Sequence, residues 1–204
     1  MITLPRLYAI ADASSFVTRE KLFEFAQGLV EGGVTLLQYR NKAGSPNQTL
    51  ADAAELKRQL GGRVQLIVND RADLCIAAEF DGVHVGQDDL SPDGVRRIIG
   101  PGLCLGVSTH NPDQLSLADQ GPADYVAIGP VFETRSKEKP DPLVGLQGVR
   151  KARSLTRKPL VAIGGITRQN AAAVLEMGAD AVAVISDLLS DPRKSAEEFL
   201  RVLG

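Results

Sequence analysis

A recurrence constrains this chain more than any other feature: a short run rich in Val, Ile and Leu, followed by an amphipathic stretch, repeated eight times. Runs without a polar face belong to parallel strands covered by helices, because a strand buried on both sides has no use for alternation. The expected strands are Arg6 to Asp12, Val34 to Arg40, Val64 to Asp70, Gly82 to Val85, Leu103 to Ser108, Tyr125 to Gly129, Leu160 to Gly164 and Ala181 to Ser186. Helix starts repeat as well. Ser45-Pro46, Ser91-Pro92, Asn111-Pro112 and Asp191-Pro192 each set a capping side chain before a proline at the first helical position, where the missing N–H is no loss. Thr167 is expected to cap a helix over Asn170 to Glu176, closed by Gly178.

The units follow one another at roughly 25 residues with no linker or composition shift, so residues 1–204 read as a single domain. Eight strand-helix units predict an α/β fold, a closed (β/α)8 TIM barrel, since closure removes the edges an open sheet must protect. An open doubly wound sheet is the alternative, and follows if Gly82 to Val85 is not a strand.

Composition removes several function classes. Lys plus Arg total 23 against 25 Asp plus Glu, and aromatics make up 4% with no Trp, so neither nucleic acid nor an anionic membrane is expected as a partner. Cys75 and Cys104 stand alone, without zinc-ligand or disulfide spacing. Met1 to Arg6 lacks a signal pattern and no apolar run reaches the roughly 20 residues of a membrane span. The expectation is a cytoplasmic protein, with a homo-oligomer compatible with the sequence but not specified by it.

In a barrel of this kind the site lies at the carboxyl ends of the strands, and here nearly every apolar run ends in polar residues. Gln38, Arg40 and Lys42 share one face at strand period while Tyr39 faces the helices, an arrangement suited to an anion. The competing reading is an arginine paired with a nearby carboxylate. Asn69-Asp70 and Asp88-Asp89 end neighbouring strands and could offer two carboxylates to one magnesium ion. Alternatively, Asp70 caps the following helix and Asp89 belongs to a turn. Residues 129–141 form the longest polar connection, ending near Gly145 where the sixth helix should begin. Its hydroxyls and Lys137 suit a lid over an anionic substrate. Gly164-Gly165, opening toward a helix, reads with Ile185-Ser186 as a phosphate cradle. His84 reads as a strand histidine, whereas His110 stands at a strand end where it could act as acid or base.

Taken in order, Gln38-x-Arg40-x-Lys42, Asn69-Asp70-Arg71, His84-Val85-Gly86-Gln87-Asp88-Asp89, Gly106-Val107-Ser108-Thr109-His110, Gly129-Pro130-Val131-Phe132, Thr134-x-Ser136-Lys137, Ile163-Gly164-Gly165-Ile166 and Ile185-Ser186 resemble the thiamine-phosphate synthase family. The resemblance implies a magnesium-dependent transferase on a (β/α)8 barrel, joining a hydroxymethylpyrimidine diphosphate to a thiazole phosphate with release of pyrophosphate. It implies that Gln38, Arg40, Lys42, Asn69, Ser108 and Lys137 hold the pyrimidine diphosphate, with Arg40, Ser108 and Lys137 closest to the chemistry. It further implies Asp70 and Asp89 as magnesium ligands, and Thr134, Ser136, Gly165, Ile185 and Ser186 around the thiazole phosphate. Glu133 and Ser136 depart from the family's usual proline and threonine, which bears on loop closure rather than on reaction type. The rival readings are an isomerase like the thiazole tautomerases, which would lean on His110, and a non-catalytic barrel that only binds a thiazole phosphate.

Overall fold

Eight parallel strands alternate with eight helices in the computed structural model, which describes residues 4–134 and 141–204. The strands are β1 (Leu7–Asp12), β2 (Leu36–Arg40), β3 (Gln65–Asn69), β4 (Gly82–Val85), β5 (Cys104–Thr109), β6 (Tyr125–Ile128), β7 (Leu160–Ile163) and β8 (Ala181–Val184). The helices are α1 (Arg19–Glu31), α2 (Pro46–Leu60), α3 (Ala72–Ala77), α4 (Pro92–Ile99), α5 (Pro112–Gln120), α6 (Gly145–Leu155), α7 (Ala171–Glu176) and α8 (Pro192–Leu203). Each strand pairs with its sequence neighbours and β1 pairs with β8, which closes the barrel. The short run Gly82–Val85 is a full member, bonded to β3 and β5, so the open-sheet alternative falls. Among the described residues no helix is long and apolar enough to cross a membrane.

Four helix starts follow the sequence expectation closely. Ser45, Ser91, Asn111 and Asp191 each accept a hydrogen bond from a backbone N–H one turn ahead, with proline at the start of α2, α4, α5 and α8. The seventh helix differs. Thr167 does not cap with its hydroxyl; its carbonyl accepts from Asn170 and Ala171, while the Asn170 side chain accepts from the Thr167 N–H and donates to the Gly165 carbonyl. The turn after Gly165 is thus tied down by an asparagine, and α7 begins only at Ala171.

Alternation along the strands sorts side chains into two cores. Leu7, Ala9 and Ala11 of β1 and Leu37 and Tyr39 of β2 face the helices in the larger core. Tyr8, Ile10, Leu36, Ile67, Cys104, Tyr125 and Val161 fill the barrel itself. Two tyrosines fit inside because their neighbours are small: Ala127, Ala181 and Ala183 share that interior.

A repeated bolt closes the amino-terminal end. Asp81, Asp124 and Asp180, each just before an even-numbered strand, accept the backbone N–H of Leu66, Leu105 and Leu160 at the start of the strand before. Each also meets a cation from the preceding even-numbered helix: Lys57 at 3.6 Å, Arg96 at 2.6 Å and Arg153 at 2.8 Å. Arg96 is the most committed, donating besides to the carbonyls of Gly100, Leu103 and Pro122. Arg96→Ala removes four bonds and leaves half-buried carbonyls unpaired, so it should lower the unfolding free energy by about 2 kcal/mol. A lower urea midpoint with an unchanged far-UV circular dichroism spectrum of the folded protein is the expected result.

Candidate active site

Because all eight strands point the same way, their carboxyl ends converge on one mouth, and a cavity of about 890 Å³ opens there. That volume lies in the range of small-molecule sites. Every described residue expected from the sequence reaches it. Gln38, Arg40, Lys42 and Asn69 line it from β2 and β3, Asp70 and Asp89 stand beside them, and Ser108 reaches in from β5. Thr134, Gly165, Ile185 and Ser186 line the opposite side. Ser136 and Lys137 lie outside the described residues. Glu133 is exposed and does not line the cavity.

Asp70 sits in the left-handed region at φ 64°, a conformation that aspartate tolerates better than most residues. Its N–H donates to the His84 carbonyl at 2.8 Å, which pins the residue across the end of the sheet. It does not cap α3: that helix begins after Arg71, with no side-chain cap. Its carboxyl instead meets Lys42 at 3.1 Å and Asp89. Burial, then the hydrogen bond and charge of Asp89, lift the Asp70 carboxyl to about 6, against the pull of Lys42. Asp89 does belong to a turn, accepting the Gly86 N–H at 2.7 Å, and yet its carboxylate also faces Asp70. Two carboxylates forced together are the donor set a hard divalent cation relieves. No group of three or more His, Cys, Asp or Glu side chains gathers around a metal position among the described residues. Such a cation would complete its shell with water and ligand oxygens, as magnesium does readily.

Arg40 combines both readings made from the sequence. It lines the cavity, and it is paired with Asp12, its direct cross-strand neighbour on β1. Asp12 is only 4% exposed and also accepts from the Ser14 N–H and hydroxyl. The pair holds the guanidinium at the mouth with donors to spare for an anion. Asp12 escaped the sequence reading because its position at the end of a strand shows the parity, while the partner is revealed only by the register of β1 on β2.

Beneath the mouth runs a chain of hydrogen bonds that the sequence does not disclose. Gln38 Nε2 donates to Tyr8 Oη at 2.8 Å, Tyr8 Oη lies 3.0 Å from Tyr125 Oη, and Tyr125 Oη lies 2.8 Å from His84 Nδ1. His84 Nε2 then lies 2.7 Å from Ser108 Oγ. Burial drives the His84 imidazole down to about 4, so the ring is neutral near pH 7. Burial likewise raises both phenols well above their ordinary range, which keeps them protonated. His84 is therefore the strand histidine expected, and it is also bonded to a residue that lines the cavity.

The opposite wall is built from backbone. Gly164 and Gly165 have φ of 101° and 62°. A Cβ on Gly164 would stand 2.6 Å from Pro130 Cβ, and one on Gly165 2.7 Å from Phe132 Cβ, so both glycines are required by geometry and by space. Val131 and Phe132 donate from their N–H groups to the carbonyls of Ile163 and Gly164, which anchors the start of the long connection to β7. The seventh helix begins at Ala171, one residue past the expected Asn170, so no helix start abuts Gly164-Gly165 itself; a short 3-10 turn begins at Ser186. Phosphate binding on this wall would rest on backbone N–H groups and the Ser186 hydroxyl. His110 borders the same wall, with Nδ1 2.7 Å from the Gly129 carbonyl and Nε2 3.5 Å from Asp141.

A protein-family model described as thiamine monophosphate synthase matches residues 7–188. The thiamine-phosphate synthase of Koribacter versatilis is 60% identical over 205 residues, covering 99% of this chain and 97% of that one. That of Chloroflexus aurantiacus is 43% identical over 202 residues, covering 97% and 92%. Among solved structures, the thiamine phosphate pyrophosphorylase from Pyrococcus furiosus superposes with a TM-score of 0.87 at 31% identity, covering 97% of this chain and 95% of that one.

Proposed function

The chain belongs to the thiamine monophosphate synthase family, a family of transferases, and from that premise we propose the reaction it carries out. It condenses 4-amino-2-methyl-5-hydroxymethylpyrimidine diphosphate with a thiazole phosphate, giving thiamine phosphate and pyrophosphate. The observation that carries this reading is the division of one cavity into an acid-and-cation side, Asp70 and Asp89 with Arg40 and Lys42, and a backbone side at Gly164-Gly165. Two anionic ligands of different size suit such a cavity, and a carrier of thiazole phosphate alone has no use for the first side.

The reaction needs no covalent nucleophile. The C–O bond to the diphosphate breaks with its electron pair leaving on oxygen, and the lone pair of the thiazole nitrogen forms the new C–N bond. The enzyme's task is to stabilise charge and to hold two rings in line. Asp70 and Asp89 would hold magnesium, which would supply charge neutralisation for the diphosphate leaving group. Arg40, Lys42 and Asn69 hold that diphosphate, and Lys137 joins them from the long connection. Gln38 and Ser108 hold the pyrimidine. Thr134, Ser136, Gly165, Ile185 and Ser186 hold the thiazole phosphate. A cytoplasmic setting suits the two free, buried thiols Cys75 and Cys104.

The test is direct. Purified protein given both phosphorylated precursors should release pyrophosphate and form thiamine phosphate in equal amounts with magnesium, and neither with a chelator. Isomerisation of the thiazole phosphate alone, abolished by His110→Ala, would overturn the reading in favour of a tautomerase.

A further inference from the structure

We infer that His84, with Tyr8 and Tyr125, is a positioning residue that sets which way the hydrogen bonds of Gln38 and Ser108 run, and so selects the ring the pocket accepts. The inference rests on the proposed reaction for the identity of that ring. The polarity itself follows from counting protons along the chain under the mouth.

Gln38 Nε2 donates to Tyr8 Oη, so the single phenolic proton of Tyr8 goes to its other partner, Tyr125. Tyr125 then spends its own proton on His84 Nδ1. An imidazole that accepts at Nδ1 must carry its one proton on Nε2, and Nε2–H donates to Ser108 Oγ. The Ser108 hydroxyl proton is left to point into the cavity as a donor. At the other end Gln38, with its amide nitrogen engaged, offers Oε1 to the cavity as an acceptor. One acceptor and one donor, at opposite ends of one chain, suit an aminopyrimidine, which offers an amino N–H and bare ring nitrogens. An oxopyrimidine offers the reverse pattern and would leave both ends mispaired, which is how polar sites reject close analogues.

The space for this chain is built in. Gly106 on β5 lies beside His84 in the register of β4 on β5, and a Cβ there would collide with the Tyr125 phenol and with His84 Nδ1. Only glycine at that position lets the two rings meet. Gln38 is 3% exposed and both tyrosines are buried. With no water reaching the middle of the chain, its members cannot reverse one at a time, and the polarity holds as a unit.

Two measurements test this. Long-range proton–nitrogen NMR of the 15N-labelled full-length protein, with His84→Gln to identify the signal, should show His84 protonated on Nε2 and bare on Nδ1 near pH 7. An Nδ1-protonated ring or an imidazolium overturns the inference, whatever the enzyme's activity. In the second, Tyr125→Phe severs the chain while nearly keeping its volume, and Tyr8→Phe severs it one link further from His84. Each should raise KM for the aminopyrimidine diphosphate about tenfold with a smaller change in kcat, and lower the preference over the oxopyrimidine analogue by at least as much. An unchanged preference in both folded variants overturns it too. If the wild-type protein makes no thiamine phosphate, the proposed reaction fails, and the NMR result still decides the polarity.

Discussion

Asp89→Asn is expected to abolish magnesium dependence and lower kcat by about 10³-fold, while the protein keeps its fold. The loss is of the size seen when a charge-stabilising group is removed from a transition state. Asparagine is the informative substitution because its carbonyl can still accept the Gly86 N–H, which Asp89 holds at 2.7 Å. Alanine would loosen that turn and confuse a structural effect with a loss of charge. Asparagine also removes the Asp89 charge from beside the Asp70 carboxyl, although burial still holds that carboxyl above its ordinary range. Asp70 should then ionise more easily and still be unable to hold the cation alone. Asp88→Ala is the control: Asp88 lines the same cavity, and it should retain most of the activity and its magnesium dependence. Steady-state rates across a magnesium titration check both variants, and equal losses in the two would show the cation held differently.

Arg40→Ala should be costly twice, and the two costs can be separated. The guanidinium is the partner of Asp12, so truncation leaves a buried carboxylate with only Ser14 to bind it. Breaking a buried pair from one side costs about 3–5 kcal/mol, and here about 2–3, because the Arg40 side chain keeps 20% exposure and water can reach the gap. Activity should fall by about 10²-fold or more as the diphosphate loses a fixed cation. Adding Asp12→Asn to Arg40→Ala removes the stranded charge and should restore most of the stability and none of the rate. Urea unfolding and kcat on the single and double variants check this together. Recovery of both would mean that Arg40 only supports the barrel.

The eightfold alternation of strand and helix was legible because every unit carries an apolar run of strand length, and four of them add a capping residue and a proline. Those signals are local, and α2, α4, α5 and α8 begin where they say. The site was largely legible for a related reason. A parallel barrel sends every carboxyl end to one mouth, so the position of Gln38, Arg40, Asp70, Asp89 and Ser108 after their apolar runs already marked them as neighbours.

What remained hidden depends on which strand lies beside which, and at what register. Asp12 against Arg40, and Asn69 against His84, are pairings across strands that no spacing along the chain contains. The run from Gln38 through Tyr8, Tyr125 and His84 to Ser108 draws on five strands that meet only when the barrel closes. At α7 the sequence reading placed the start within one residue but named the wrong cap, since the side chain of Asn170 rather than that of Thr167 supplies the local acceptor. The sequence by itself determined the barrel and the residues at its mouth, because period and capping act over a few residues. Tertiary structure alone decided their partners, charge states and hydrogen-bond polarity, because burial and contacts between distant strands exist only in the closed fold.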